Sequence, residues 1–323
     1  MDILLQLILL VVGFVMLIKG ADWFVDGAAG IATKLGIPQL VIGLTIVAMG
    51  TSAPEAAVSI SAAFKGSADI TIGNIVGSNI MNILIILGLS AVITPLKVAK
   101  STIRYEIPFM IAITALLTVL GMSGTITFMN GIVLWAVFII YFIYLVVLTR
   151  KQQNSIEEGV SSVSTGNEPG DKQVKALSIP KALVLVVIGI VLIVAGSNIA
   201  VDAASELART FGLSERFIGL TIVALGTSLP ELVTSALAAR KGNADIAIGN
   251  IVGSNIFNIL FVVGTSALII PIPFAQAFVT DFAVAAGAAI LLLICCLRKQ
   301  RLSRFSGALM LICYAAYFAF VLM

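Results

Sequence analysis

Two carboxylates stand where carboxylates are costly. "GTSAPE" at residues 50–55 and "GTSLPE" at 226–231 place Glu55 and Glu231 inside long apolar stretches, each directly after a proline. Thr51 and Glu55 are four residues apart and so share one helix face. Pro54 cannot donate to the carbonyl of Gly50 and disturbs the preceding turn. Backbone oxygens freed in this way can coordinate ions, and lipid tolerates them only where they line a cavity. Further along, Asn74, Ser78 and Asn82 recur at four-residue intervals as a stripe of side-chain oxygens. The second copy supplies Thr227, Glu231, Asn250, Ser254 and Asn258. The donors are all oxygen, with no thiol, and the chain contains no histidine. Such a set suits hard cations such as Ca²⁺ or Na⁺ and argues against zinc, copper or iron.

The elements that must position these groups are membrane helices. The chain is 60% hydrophobic and only 11% charged over 323 residues, with a mean hydropathy of +1.14. Ten apolar runs follow one another, roughly 3–20, 37–64, 70–93, 105–122, 128–148, 180–206, 213–239, 246–270, 278–297 and 305–323. The start, "MDILLQLILL", has no basic leader and no small-residue cleavage site, and reads as a retained first span. Fifteen of the 19 Lys and Arg fall on one side of this arrangement, which places both termini outside and the long central loop in the cytoplasm. Cys295, Cys296 and Cys313 read as core or lipid-facing side chains.

Residues 42–95 align without a gap to 218–271 at an offset of 176, with 37 identities in 54 positions. The offset contains five spans, an odd number, so the second copy crosses the membrane in the opposite sense. Inverted repeats with a midplane site where the copies meet are a recurring transporter architecture. The expected fold is therefore an all-α membrane protein of ten transmembrane helices, built as two five-helix inverted-topology repeats. The first occupies 1–149 and the second 180–323. The polar stretch 150–179 reads as a flexible cytoplasmic linker, its Glu157, Glu158, Glu168 and Asp171 being solvated charge rather than a calcium sensor.

Depth follows from counting. Glu55 lies ten residues before Lys65 and Glu231 nine before Arg240, so each is roughly 14–15 Å from its own membrane surface. That is the centre of a hydrocarbon core about 30 Å thick. An ionised carboxylate there costs at least several kcal/mol unless neutralised. No Lys or Arg falls at the centre of a neighbouring span, so a mobile cation is the expected counter-charge, with protonation the other choice. Two carboxylates match one divalent or two monovalent cations. An empty site would strand both charges in the membrane, which favours compulsory exchange.

These same residues resemble a known family. "GTSAPE" and "GTSLPE", followed by "GNIVGSNIMN" and "GNIVGSNIFN", look like the paired α-repeats of the sodium/calcium exchanger family of cation antiporters, and the ten-span layout extends the likeness across the chain. The resemblance implies that Glu55 and Glu231 are shared ligands of Ca²⁺ and Na⁺, with Thr51 and Thr227 completing a central calcium site. It implies that Ser52 with Ser78, and Ser228 with Ser254, line flanking sodium sites, helped by the carbonyls of Ala48 and Ala224. Asn82 and Asn258 take the remaining central position, where some relatives carry one aspartate. With asparagine at both, the central ring has no third carboxylate. The resemblance also implies a sliding gate formed by the first and sixth spans.

The expectation is a sodium-driven calcium antiporter of the cell membrane, with Ca²⁺ and Na⁺ as cargo, no cofactor, and the lipid bilayer as its only evident partner besides those ions. A proton/calcium antiporter using the same glutamates is the alternative. Clustering of the polar groups at one depth argues against a channel. A membrane scaffold or sensor would be indifferent to loss of Glu55. Nothing suggests nucleic-acid binding, hydrolysis or redox chemistry: phosphate-binding loops and metal-ligand cysteine spacings are missing. Among the remaining embedded charges, Asp26 and Asp202 read as interface caps, and Lys19 and Asp22 as a local pair. Asp69, Asp245, Glu106 and Asp281 read as acidic helix starts.

Overall fold

The computed structural model of the chain describes residues 3–66, 68–160, 177–212, 224–297 and 299–322. Its apolar runs form helices, the conformation in which a single segment satisfies its own backbone hydrogen bonds without water. In chain order these are α1 (Ile3–Leu35), α2 (Gln39–Thr51), α3 (Ala53–Phe64), α4 (Ile70–Ile93), α5 (Thr102–Gly121) and α6 (Phe128–Val160). Then follow α7 (Ile179–Thr210), the short α8 (Ala224–Thr227), α9 (Leu229–Arg240), α10 (Ala244–Ile269), α11 (Ala277–Leu297) and α12 (Arg304–Leu322).

Among the described residues eight helices are long and apolar enough to cross a membrane, and nine if α2 and α3, which meet at a 51° bend, count as one broken span. The expected span at 213–239 falls partly on 213–223, outside the described residues, as does Arg216. The expected linker begins later than at 150, because α6 continues to Val160. The rest of it, 161–176, with Glu168 and Asp171, lies outside the described residues.

α1 and α7 are longer than their apolar runs suggested, at 33 and 32 residues. Their second halves are rich in Gly and Ala, and small residues are what the pair packs on. Gly13 faces Gly196 and Ala200, Gly20 faces Gly189 and Ile193, and Gly27 faces Ala182 and Val186. The helices thus run antiparallel with glycines seven residues apart in register. A Cβ at Gly20 would sit 2.9 Å from the Gly189 oxygen, and one at Gly196 would sit 2.7 Å from the Gly13 oxygen. Close backbone approach of this kind is how small residues join helices in lipid.

The centre belongs to α4 and α10, whose apolar windows are 78% and 94% buried against 17–33% for the other spans. α10 lies against α2, and the two halves interlock: α6 packs on α10, and α12 packs on α4. Two antiparallel ribbons clip them together, β1 (Leu96–Lys97) with β4 (Arg301–Leu302), and β2 (Thr125–Ile126) with β3 (Ile272–Pro273). The 176-residue offset relates β1 to β3 and β2 to β4, so one ribbon is the repeat image of the other. Outward faces carry large apolar side chains such as Leu4, Val11, Ile140 and Val187, as lipid contact requires.

Among the described residues four helices contain a widened π-turn: Gly43–Val47 in α2, Asn82–Leu87 in α4, Thr102–Glu106 in α5 and Asn258–Val263 in α10. Such turns concentrate at functional sites. Two of them open on the asparagines singled out above.

Candidate cation site

The break between α2 and α3 is local chemistry. Ser52 leaves the helix at φ −82°, ψ 9°, and Pro54 stands in the first turn of α3. Ser228 does the same at φ −91°, ψ 4°, ahead of Pro230 in α9. The carbonyl of Gly226, which Pro230 cannot satisfy, accepts instead from the Ser197 hydroxyl of α7 at 2.8 Å.

Both carboxylates are buried, Glu55 at 1% exposure and Glu231 at 0%, and they lie in one site. Ser52 Oγ donates to Glu231 Oε1 at 2.7 Å, and Ser228 Oγ donates to Glu55 Oε1 at 3.2 Å. Each serine therefore serves the acid of the opposite repeat. Ser254 and Thr51 also face Glu231, and Ser78 faces Glu55. The Ala48 carbonyl lies 3.4 Å from Ser254 Oγ. The grouping is thus Ser52, Ser254 and Ala48 about Glu231, and Ser228 and Ser78 about Glu55. The pairs expected to line the flanking sodium sites, Ser52 with Ser78 and Ser228 with Ser254, thus contact different glutamates of the one site. Inversion crosses the helices, so a serine meets the other copy's stripe rather than its own.

Among the described residues no lysine or arginine pairs with either glutamate; the described ion pairs are Arg209–Glu206 and Lys241 with Asp22 and Asp26. The second oxygens, Glu55 Oε2 and Glu231 Oε2, are buried with no hydrogen-bond partner, and so are Asn82 Oδ1 and Asn258 Oδ1. Two repeats thus contribute four bare acceptors. An unpaired buried acceptor costs about 1–3 kcal/mol, and more when charged. The donor set fits a hard cation as cargo.

Several expected ligands have another job. Asn74 Nδ2 donates to Ser59 Oγ at 2.9 Å and to the Glu55 carbonyl at 3.3 Å. Asn250 Nδ2 donates to Ser235 Oγ at 2.9 Å, while its Oδ1 accepts from Thr51 Oγ1 at 2.9 Å. Both asparagines tie a broken helix to the span that follows it. Thr227 is half-buried, and α8 carries Ala224 just before it. The sequence reading missed Asn79 and Asn255, which hold the amides of Asn258 and Asn82, as well as Ser59 and Ser235. All four match across the 176-residue offset, so the complete set of polar identities would have found them.

A cavity of about 880 Å³ at the Lys65 end of α3 is also lined by Asp202, Ser61, Asn198, Pro54, Gly226 and Thr227. At the opposite end Lys241 Nζ bonds Asp26 Oδ1 at 2.6 Å, Asp22 Oδ1 at 2.7 Å and the Asp22 carbonyl at 3.0 Å. The expected Lys19–Asp22 pair gives way to this longer-range one, because Asp22 and Asp26 face the end of α9.

Two other acids are also reassigned. Glu106 is fully buried, with Tyr144 Oη donating to it at 2.5 Å, and Tyr317 Oη donates to Asp281 at 2.9 Å. Both lie a full turn inside their spans and pair with a neighbouring helix, instead of capping a helix start. Asp245 does sit in the first turn of α10.

The sequence profile of the sodium/calcium exchanger protein family matches residues 5–147 and 181–323. A putative antiporter, CaxA of Alkalimonas amylolytica, is 39% identical over 97% of this chain and 98% of its own. The sodium/calcium exchanger MaX1 of Methanosarcina acetivorans is 31% identical over 98% of each. A solved structure of the sodium-calcium exchanger NCX_Mj superposes with a TM-score of 0.83 at 32% identity, covering 99% of this chain and 100% of that one.

Proposed function

This chain belongs to the sodium/calcium exchanger protein family and is a membrane antiporter of cations, and we propose that it exchanges Na⁺ for Ca²⁺ across the cell membrane. The observation that carries this reading is the set of four buried, unpartnered acceptors: Glu55 Oε2, Glu231 Oε2, Asn82 Oδ1 and Asn258 Oδ1. Two charges and two neutral oxygens make a site for one Ca²⁺. The hydroxyls of Ser52 and Ser254 with the Ala48 carbonyl at Glu231, and of Ser228 and Ser78 at Glu55, offer Na⁺ an oxygen shell on either side. A proton would need only one lone pair, so this surplus of oxygens favours Na⁺ as the coupled ion. Thr51, Thr227 and the Ala224 carbonyl complete the proposed ligand set.

The fold proposed for transport is ten spans in two inverted five-helix halves, 1–149 and 180–323. Both termini are outside, and the 150–179 linker is cytoplasmic. The Lys65–Asp202 cavity then opens outward and the Lys241 cluster closes the cytoplasmic end. Cargo in the site cancels its charge of −2, which lowers the cost of moving it through a dry, closed state. The glycine seam lets α1 and α7 slide as one gate past a fixed centre, closing one end while opening the other.

The test is Ca²⁺ uptake into proteoliposomes holding the full chain, with the membrane potential clamped, under an imposed Na⁺ gradient or an imposed pH gradient. Uptake driven by Na⁺ alone is expected. Uptake driven only by the pH gradient would overturn the Na⁺ assignment.

A further inference from the structure

We propose that Asn79 and Asn255 are positioning residues that set which atom of Asn82 and Asn258 the cargo meets; the proposal rests on the exchanger reading above. The four asparagines are buried, at 4%, 1%, 1% and 0% exposure for 79, 255, 82 and 258. They form a closed figure between α4 and α10. Asn255 Nδ2 donates to the Asn79 carbonyl at 3.2 Å, and Asn79 Nδ2 donates to the Asn255 carbonyl at 3.3 Å. Asn82 Nδ2 donates to Asn255 Oδ1 at 2.9 Å, and Asn258 Nδ2 donates to Asn79 Oδ1 at 3.1 Å.

The orientation of a carboxamide is ordinarily ambiguous, since its two ends are nearly alike in shape. Here a backbone carbonyl removes the ambiguity, because it can only accept. Asn255 must turn its NH₂ toward the Asn79 carbonyl, which leaves its Oδ1 facing Asn82. Asn82 must answer with its own NH₂, which leaves Asn82 Oδ1 pointing away without a partner. The same sequence of constraints runs from the Asn255 carbonyl through Asn79 to Asn258 Oδ1. Polarity is thus relayed from a helix backbone, across the repeat interface to the other copy's asparagine, and back to the central oxygen of the first helix. If either central amide turned over, it would present NH₂ to the cation and repel it. The relay keeps two neutral residues acting as cation ligands in a site with only two carboxylates.

The experiment measures the Ca²⁺ KM and maximal rate of exchange in proteoliposomes for the parent, Asn82→Ala, Asn255→Leu and the double variant, with inserted protein quantified. Removing an outer partner of a metal ligand typically costs roughly 10- to 100-fold in affinity. Asn255→Leu is expected to raise KM by that order and to move the maximal rate far less. Because it acts through Asn82, the double variant should match the worse single variant rather than multiply the two effects. Asn255→Asp, protonated and so able to donate to the Asn79 carbonyl and accept from Asn82, is expected to keep KM near the parent's. If Asn255→Leu does not insert, the same cycle is run with Asn79→Leu and Asn258→Ala. An unchanged KM in the leucine variant, multiplying effects, or failure of both leucine variants to insert would overturn the relay. A parent with no Ca²⁺ exchange would overturn the exchanger reading instead.

Discussion

Lys241→Met tests how the closed end is held. The substitution keeps the side-chain stem and removes the charge that bonds Asp22 and Asp26 at 2.7 and 2.6 Å. The cluster is partly wet: the side chains of Lys241, Asp22 and Asp26 are 25%, 36% and 50% exposed. Exposed pairs are worth about 0.2–1 kcal/mol each. Two of them hold the end shut by about 0.4–2 kcal/mol, a factor of roughly 2–30 in the open-to-closed ratio. A reporter cysteine at Leu237, the repeat counterpart of cavity-lining Ser61, reads that ratio once Cys295, Cys296 and Cys313 are replaced by serine. Its rate of labelling by a membrane-impermeant maleimide from the Lys241 side should rise by that factor in Lys241→Met. Raising the salt should bring the parent toward the variant, because exposed pairs are screened. An unchanged labelling rate, or a difference indifferent to salt, would refute the reasoning.

Ser52→Ala removes the 2.7 Å hydrogen bond to Glu231; bonds to charged groups contribute about 1.5–3 kcal/mol, so half-maximal Na⁺ activation of exchange should move up by roughly 10- to 160-fold. Gly20→Val puts a Cβ 2.8 Å from the Leu192 Cβ and 2.9 Å from the Gly189 oxygen. Overpacking of this size costs about 1–3 kcal/mol, and the exchange rate per inserted molecule should fall about tenfold. Glu106→Gln keeps an acceptor for Tyr144 and should leave the exchange rate within about twofold, whereas Glu106→Leu leaves that hydroxyl unpaired and should lose about 1–3 kcal/mol of stability in a thermal melt. Abolished exchange in Glu106→Gln would place Glu106 on the transport path.

Much of the site was legible in the sequence because lipid makes polar residues conspicuous. Glu55 and Glu231 stood out on cost alone, and the 176-residue offset showed which polar positions recur. What stayed hidden depends on how the copies cross. Ser52 serves Glu231 and Ser228 serves Glu55, a swap that spacing within one helix cannot reveal. Asn74 and Asn250 were read as oxygens facing cargo, whereas their amides tie helices together; a carboxamide has both an acceptor and a donor end, and only the fold decides which faces the centre. The partner of Asp22 lies 219 residues away, at Lys241. The second half of α1 was missed because Lys19, Asp22 and Asp26 interrupt its apolar run, although its small residues strengthen close packing.

The most direct measurement is equilibrium binding of radioactive Ca²⁺ to the purified full-length protein as Na⁺ is raised. Binding of one Ca²⁺ per chain is predicted, displaced by Na⁺ and lost in both Glu55→Gln and Glu231→Gln. Ca²⁺ that stays bound when both glutamates are replaced, or that saturating Na⁺ leaves in place, would contradict the account.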